Sequence, residues 1–241
     1  TNTLVREGVT SIVNPFDMHA IELSLRIRDK HGGKITCISM GPPQAEAALR
    51  EALSLGADEA ILLSDRAFAG SDTFATSYTL AKAISKLDRY DLIICGKQAI
   101  DGDTAQVGPG VAEHLNIPHI TCVSKIDEIS PNCMRIHRMT EDGYHIISSP
   151  LPTLITVVRE VGEPRIPSIR NKLRAKKLPI PIWTLKDIEA DEGMLGLSGS
   201  PTQVVKTFSP DVRPKGEIVK GDSASDIAEN LLKELSALHL I

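Results

Sequence analysis

The chain has 241 residues, a formal net charge of −4, 41% hydrophobic residues and only 3% aromatic residues. This balance argues against nucleic-acid binding, because no positive field attracts phosphates and few rings are present to stack bases. No apolar run approaches the roughly 20 residues that cross a membrane. The four cysteines lack the paired spacing of a zinc site. We therefore expect no membrane span, no metal, an aliphatic core and free thiols in a reducing compartment.

Strands and helices alternate through the first two thirds of the chain. Asn14 and Pro15 begin the first helix, because Asn is a preferred N-cap residue and Pro suits the first helical position. Short apolar runs alternate with stretches that carry apolar residues at helical spacing. The predicted strands are 34–40, 59–63, 91–95, 117–123 and 153–158. The predicted helices are 15–30, 43–55, 73–87 and 104–115.

A hairpin is predicted within the later part of this region. Residues 133–139 and 144–147 have strand character, and Glu141-Asp142-Gly143 between them is a turn sequence. Together with the alternating elements, the hairpin predicts an α/β fold. Its sheet should be mainly parallel, with helices on both faces and an antiparallel addition.

The remainder of the chain looks less like a compact domain. Residues 163–177 are strongly basic and predict a loop with one short helix. This segment is either a solvated surface or a docking segment for another protein, and binding of nucleic acid is the less favoured alternative because aromatic neighbours are lacking. Residues 193–214 are rich in Gly, Ser and Pro. Residues 223–240 have an amphipathic helical pattern. We expect an α/β domain over 1–190 and, over 191–241, an extended arm whose helix docks on a partner.

The loop after the third predicted strand has the composition of a phosphate site. It joins an Ile-rich strand to a helix, where unpaired amides and the helix dipole favour anions. Gly96 should let a ligand approach the backbone, and Thr104 should cap the helix and bond a phosphate oxygen. Asp101 and Asp103 should accept bonds from ribose hydroxyls or stiffen the turn. The further predicted donors are Lys97, Gln98 and Gln106.

The loop matches neither GxxxxGK[ST] nor GxGxxG, so an ordinary polar loop remains the alternative interpretation. Spacing alone does not distinguish AMP from a dinucleotide. The seven histidines show no metal-binding or nucleophile spacing, and no catalytic side chain is assigned. Any chemistry at this site is expected to come from a bound cofactor.

Several segments resemble the β subunit of electron-transfer flavoproteins in order and spacing across almost the whole chain. Residues 136–156 also resemble the family's signature, apart from His145, where the family has Glu or Gln. The family's N-terminal strand has no counterpart, so we expect that strand to be missing. The matching segments are Asn14-Pro15-Phe16-Asp17, Ser39-Met40-Gly41-Pro42, the loop from Gly96 to Asp103, Leu151-Pro152-Thr153, Glu163-Pro164-Arg165 and Ala175-Lys176-Lys177.

The resemblance implies a Rossmann-like domain that pairs with an FAD-carrying α subunit in the bacterial cytoplasm. In ordinary members, the β subunit binds AMP. In electron-bifurcating members, the same pocket holds a second FAD that takes electrons from NADH. One electron then goes to ferredoxin or flavodoxin, and the other goes through the α-subunit FAD to an acyl-CoA dehydrogenase. The resemblance assigns to the nucleotide Asn14, Pro15, Phe16, Asp17, Met40, Gly96, Lys97, Gln98, Ala99, Ile100, Asp101, Gly102, Asp103, Thr104, Ala105, Gln106 and Val107.

Two small residues of the loop favour FAD over AMP. Ordinary members resemble Asp-Asp-Asp-Cys-Asn-Gln-Thr here, whereas this chain has Asp-Gly-Asp-Thr-Ala-Gln-Val at 101–107. Gly102 and Ala105 remove two polar side chains, which would make room for a pyrophosphate and a longer ligand. The segment 196–202 is also similar to the bifurcating branch.

The basic segment has a counterpart in the family as well. It matches the recognition loop that anchors the acyl-CoA dehydrogenase, with Ile169 at the position of the apolar anchor and Leu173 one helical turn further on. This favours a protein-docking role for the segment. The residues assigned to docking are Arg165, Ile169, Leu173 and Lys176.

Overall fold

A computed structural model describes residues 11–206, 208 and 216–241. Its chain divides into two compact units, the first ending at Val204 and the second spanning Val205–Ile241. The helices are α1 (Pro15–His31), α2 (Glu46–Leu55), α3 (Thr73–Ser85), α4 (Val107–Leu115), α5 (Ile169–Lys177) and α6 (Ala224–Ala237). The strands are β1 (Thr36–Met40), β2 (Glu59–Leu63), β3 (Leu92–Gly96), β4 (His119–Ile129), β5 (Cys133–Thr140), β6 (Gly143–Pro150), β7 (Thr153–Val157) and β8 (Ile182–Trp183).

The predicted α/β architecture is confirmed, with its strands arranged in two sheets. One sheet has the parallel order β1-β2-β8. The other has the order β3-β7-β4-β5-β6, in which the first three strands are parallel and the last three antiparallel. Within the described residues, β1 and β3 each pair along one edge only. The apolar residues of both are half-buried, whereas β7, which has two neighbours, is buried throughout.

Two predictions about strands needed correction. β4 continues six residues past the predicted end at Val123, because its second half leaves the parallel part of the sheet and pairs with β5 across two bulges. β8 has only two residues, too few for a periodic pattern to show, and it was not predicted. The predicted hairpin is confirmed, since β5 and β6 are joined through Glu141 and Asp142.

Helices cover both faces of the five-stranded sheet. Successive side chains of β7 point to opposite faces, and each face packs against a different helix. Ile155 faces a cluster that contains Ala20 and Leu23 of α1. Leu154 faces another cluster, with Val111 of α4 among its members. Each fully buried Leu or Ile contributes about 1.5–3 kcal/mol relative to exposure. The opposed helices are therefore held firmly against the strand next to β3.

Gly108 brings the first turn of α4 close to the end of β3. A Cβ at this position would lie 2.7 Å from Thr156 Cγ2 and 3.0 Å from Cys95 Sγ, so a larger side chain would push the helix away. The N-terminus of α4 is consequently fixed beside the loop that follows β3.

The second unit contains α6, which lies within the predicted helix 223–240. Ser223 caps it by accepting a hydrogen bond from the amide of Asp226 at 3.2 Å. Three apolar residues of its stripe, Ile227, Leu231 and Leu232, are exposed. Among the described residues, no helix combines the length and apolarity that a membrane crossing needs.

Candidate nucleotide site

Asn14 ties the start of α1 to the loop after β3. Its side-chain amide donates to the carbonyl oxygen of Gln98 at 2.8 Å, and its side-chain oxygen accepts from the amide of Ile100 at 3.2 Å. It also donates to Asp17 Oδ2 at 3.0 Å. Although Asn14 occupies the N-cap position, its side chain makes no capping bond to its own helix. It serves instead as a bridge between two segments 84 residues apart in sequence.

Asp17 and Gly96 form the second connection between α1 and β3. The amide of Gly96 donates to Asp17 Oδ1 at 2.6 Å. A Cβ at Gly96 would lie 2.6 Å from the Phe16 carbonyl carbon and 2.8 Å from the Asp17 nitrogen. The first turn of α1 occupies the space on the Cβ side of Gly96, so packing against that turn requires the glycine, and the approach of a ligand to its backbone stays a prediction.

Two cysteine thiols near this contact remain neutral. Burial, and then the negative charge of Asp17, raises the pKa of Cys95 to about 12. Burial, and then the charges of Asp17 and Asp58, raises the pKa of Cys37 to about 12. A thiol that stays protonated is a poor nucleophile, so both cysteines act as packing groups.

The loop itself is closed by its own residues. The amide of Asp103 donates to the carbonyl oxygen of Ala99 at 2.8 Å. The side-chain amide of Gln98 donates a hydrogen bond to the Asp103 carboxylate, so each side chain has a hydrogen-bond partner within the loop. Asp103 and Ala105 both have left-handed backbone conformations, with φ of 52° and 55°. A right-handed helix needs negative φ values, so α4 cannot include Ala105 or begin before it.

The helix accordingly begins at Val107, not at the predicted Thr104, and Thr104 does not cap it. Gln106 occupies the N-cap position and makes no side-chain capping bond. Its Oε1 instead accepts from the Thr73 hydroxyl at 2.8 Å. The first-turn amides of Val107 and Gly108 have no intrahelical acceptor, as in any α-helix.

The structure joins several of the predicted nucleotide residues through hydrogen bonds among Asn14, Asp17, Gly96, Gln98, Ile100 and Asp103. Met40 ends β1 and packs against a cluster that contains Leu63 and Phe68. Thr73 contacts the loop through Gln106 and was not predicted, because a single threonine at a helix start carries no distinctive signal. The exposed members of the predicted set are Pro15, Ala99, Ile100, Asp101, Gly102, Asp103, Thr104 and Gln106.

These residues suit the phosphate part of a nucleotide. The first-turn amides of α4 and the adjoining helix dipole favour an anion, and the exposed Thr104 hydroxyl lies three residues before the helix. Gly102 leaves open space, since a Cβ there would meet nothing within 4 Å. The donor set and the open space fit a phosphate-bearing ligand.

The predicted docking residues lie on or just before α5. Ile169 is 80% exposed and Leu173 is 57% exposed, and their spacing of four residues places them on one face of the helix. Lys176 is also exposed. Arg165 is held by ion pairs with Glu22 at 2.8 Å and Asp29 at 3.0 Å, so its guanidinium group is already engaged within this chain.

Gly96→Ala should destabilise the protein, whereas Gly102→Ala should not. The new methyl at position 96 must displace the backbone of α1, at an expected loss of about 1–3 kcal/mol in the free energy of unfolding. The methyl at position 102 enters open space and should change that free energy by less than about 0.5 kcal/mol. Urea unfolding of both variants checks this prediction, and equal stabilities would contradict it.

Comparison with known proteins places this geometry in a family. Residues 1–188 match the electron transfer flavoprotein domain. The chain is 52% identical to an electron transfer flavoprotein subunit beta of Thermoanaerobacterium thermosaccharolyticum, over 100% of this chain and 92% of that protein. It is 46% identical to the caffeyl-CoA reductase-Etf complex subunit CarD of Acetobacterium woodii, with the same coverage.

A further relative is protein FixA of Azorhizobium caulinodans, which is 42% identical over 98% of this chain and 86% of that protein. The family match spans well over half of the chain, and these relatives align along almost all of it. The chain therefore belongs to the electron-transfer flavoprotein β-subunit family.

Proposed function

We propose that this chain binds FAD at the loop between β3 and α4 and takes part in electron bifurcation. In this role, the heterodimer passes electrons from NADH to ferredoxin or flavodoxin and, through the α-subunit FAD, to an acyl-CoA dehydrogenase. The observation that carries the proposal is the open space at Gly102, together with the small side chain of Ala105 in the same loop.

Ala105 is the less expected of the two small residues. Its φ of 55° is left-handed, a conformation that costs an alanine roughly 1–2 kcal/mol and that asparagine adopts more readily. The ordinary family pattern has asparagine at this position. Asparagine at position 105 would relieve the strain but would fill part of the site. The presence of alanine in a strained conformation therefore supports the proposal that the ligand needs this space.

The residues of this chain then have distinct tasks. The first-turn amides of α4 and the Thr104 hydroxyl would hold the phosphates, and the Asp101 carboxylate would accept a hydrogen bond from a ribose hydroxyl. Asn14 and Asp17 keep the loop in place through the bonds described above. FAD, when bound, supplies a group that accepts a hydride and releases electrons singly. The Cys95 thiol stays protonated and is therefore a poor nucleophile toward a bound cofactor.

AMP is the alternative ligand, and one observation favours it. Two carboxylates, Asp101 and Asp103, lie in the loop, and each would repel a second phosphate. The Asp103 carboxylate accepts a bond from Gln98, which delocalises part of its charge. This pairing reduces the repulsion and leaves FAD as the better match to the open loop.

Counting the nucleotides of the purified heterodimer tests the proposal. Acid release followed by chromatography should give two FAD and no AMP per heterodimer. The intact complex should also reduce ferredoxin in the presence of NADH and an enoyl-CoA acceptor together with its dehydrogenase. One FAD and one AMP per heterodimer would contradict the FAD assignment.

The partners follow from the family and from two exposed surfaces. Electron-transfer flavoprotein β subunits pair with an α subunit. The exposed apolar stripe of α6 is proposed to dock on that subunit. The name of the Acetobacterium relative includes caffeyl-CoA reductase, which supports an enzyme of CoA thioesters as the second partner. We assign that contact to Ile169 and Leu173 on α5, with Lys176 beside them.

Ile169→Ala should weaken delivery of electrons between the dehydrogenase and the heterodimer. Burial of an isoleucine side chain contributes about 1.5–3 kcal/mol. The KM for the dehydrogenase should therefore rise at least about tenfold. A purified short-chain acyl-CoA dehydrogenase with its acyl-CoA reduces the heterodimer, and a soluble dye accepts the electrons. Ile146→Ala, at a similarly exposed isoleucine of β6, is the control. Unchanged KM for Ile169→Ala would remove the docking assignment.

A further inference from the structure

The segment that leads into α5 is held by a single buried carboxylate of α1. Glu22 is 5% exposed. Its Oε2 accepts from the backbone amide of Arg165 at 3.1 Å and from Arg165 Nε at 2.8 Å. Its Oε1 accepts from Arg26 Nε at 2.7 Å. One side chain therefore fixes both the position of the Arg165 backbone and the direction of its guanidinium group.

Neighbouring residues of α1 hold the same segment by its carbonyl groups. Arg26 donates to the carbonyl oxygens of Val161 at 3.1 Å and Glu163 at 3.2 Å. A ring nitrogen of His19 is 2.9 Å from the carbonyl oxygen of Gly162. Several consecutive residues of the chain between β7 and α5 are thus hydrogen-bonded to polar side chains of α1. Glu22 belongs to this set of contacts and bonds to both Arg165 and Arg26.

The electrostatics show that Glu22 is charged in this position. Burial favours the protonated form, but hydrogen bonds from Arg165 and then Arg26 hold the pKa of Glu22 below its ordinary value. A buried carboxylate is stable when such partners satisfy it. Here both of its oxygens are bonded, and both of its partners contact the docking segment.

What these contacts position is the exposed apolar face of α5. Ile166 follows Arg165 directly in the segment before α5 and is 90% exposed, and Ile169, the first residue of α5, is 80% exposed. The far end of α5 is fixed by Arg50, which donates to the carbonyl oxygens of Ala175 at 2.6 Å and Leu178 at 2.8 Å. With the C-terminal end anchored on α2, the Glu22 contacts determine how the N-terminal end presents its isoleucines.

We propose that Glu22 is a positioning residue for docking of the acyl-CoA dehydrogenase, acting through Arg165 on Ile166 and Ile169. The inference rests on the proposed docking role of α5 and adds a residue on another helix to it. Glu22 is 5% exposed and bonds to Arg165 and Arg26, so its proposed effect is indirect. Its effect is confined to the geometry in which the apolar side chains of α5 meet their partner.

Glu22→Gln in the intact heterodimer is the main test. Glutamine keeps the shape but loses the charge, which weakens the bonds to both guanidinium groups. The KM for the dehydrogenase, in the acyl-CoA-driven dye assay described above, should rise at least fivefold while kcat stays within twofold. Direct dye reduction by the dithionite-reduced heterodimer, which needs no docking, should be unchanged, and so should the nucleotide content.

Two further variants make the result decisive. Glu59, the first residue of β2, forms an exposed ion pair with Lys34. Glu59→Gln removes the carboxylate of this pair and should leave the KM for the dehydrogenase unchanged. Arg165→Lys keeps the charge but loses the forked contact with Glu22 and Asp29, and should raise KM about threefold. If Glu22→Gln does not accumulate as a folded heterodimer, Arg165→Lys provides the measurement, and an unchanged KM there overturns the inference.

The outcomes separate this inference from the proposed function. If Ile169→Ala leaves KM unchanged, the docking role of α5 fails. If Ile169→Ala raises KM and Glu22→Gln does not, docking stands and the positioning role of Glu22 is overturned. If Glu22→Gln lowers kcat, direct dye reduction or nucleotide content together with docking, its role is general structural support and the inference is also overturned.

Discussion

The candidate site depends on the hydrogen bonds that join the first turn of α1 to the end of β3. Asn14 binds the loop at Gln98 and Ile100, and Asp17 binds the amide of Gly96. The loop 97–106 between β3 and α4 has many accessible conformations, and ordering each residue costs about 1–2 kcal/mol of backbone entropy. Contacts from a well-packed helix offset part of that loss, so the loop can present its amides without help from a ligand.

The same helix organises a second surface. One end of α1 contacts the loop, whereas its middle contacts residues 161–165 through His19, Glu22 and Arg26. Its apolar face lies on the five-stranded sheet with Ala20 and Leu23 in the core. A helix that is fixed to the sheet can therefore hold the nucleotide loop and the docking segment in a constant relation. That relation suits the proposed function, in which the loop binds the nucleotide and α5 docks a redox partner.

Local patterns in the sequence predicted the elements well and the contacts between them poorly. β2 has the predicted bounds, and α1 begins at Pro15 with Asn14 at the N-cap position, as predicted. The helix start at Val107 was missed, because the left-handed conformation of Ala105 cannot be inferred from its residue type. The sequence did not predict that Gly96 packs against Phe16, a residue 80 positions earlier. Only the fold reveals such long-range packing, and the pairing of Glu22 with Arg165 is another example.

The most direct test of this account is the nucleotide affinity of Asn14→Ala. Two loop hydrogen bonds are lost, each contributing about 0.5–1.5 kcal/mol, so the dissociation constant for the bound nucleotide should rise about tenfold or more. Asn132→Ala, at an exposed turn between β4 and β5, should bind normally. Titration of FAD and of AMP into nucleotide-free heterodimers provides the measurement. Wild-type affinity in Asn14→Ala would show that the loop does not depend on α1.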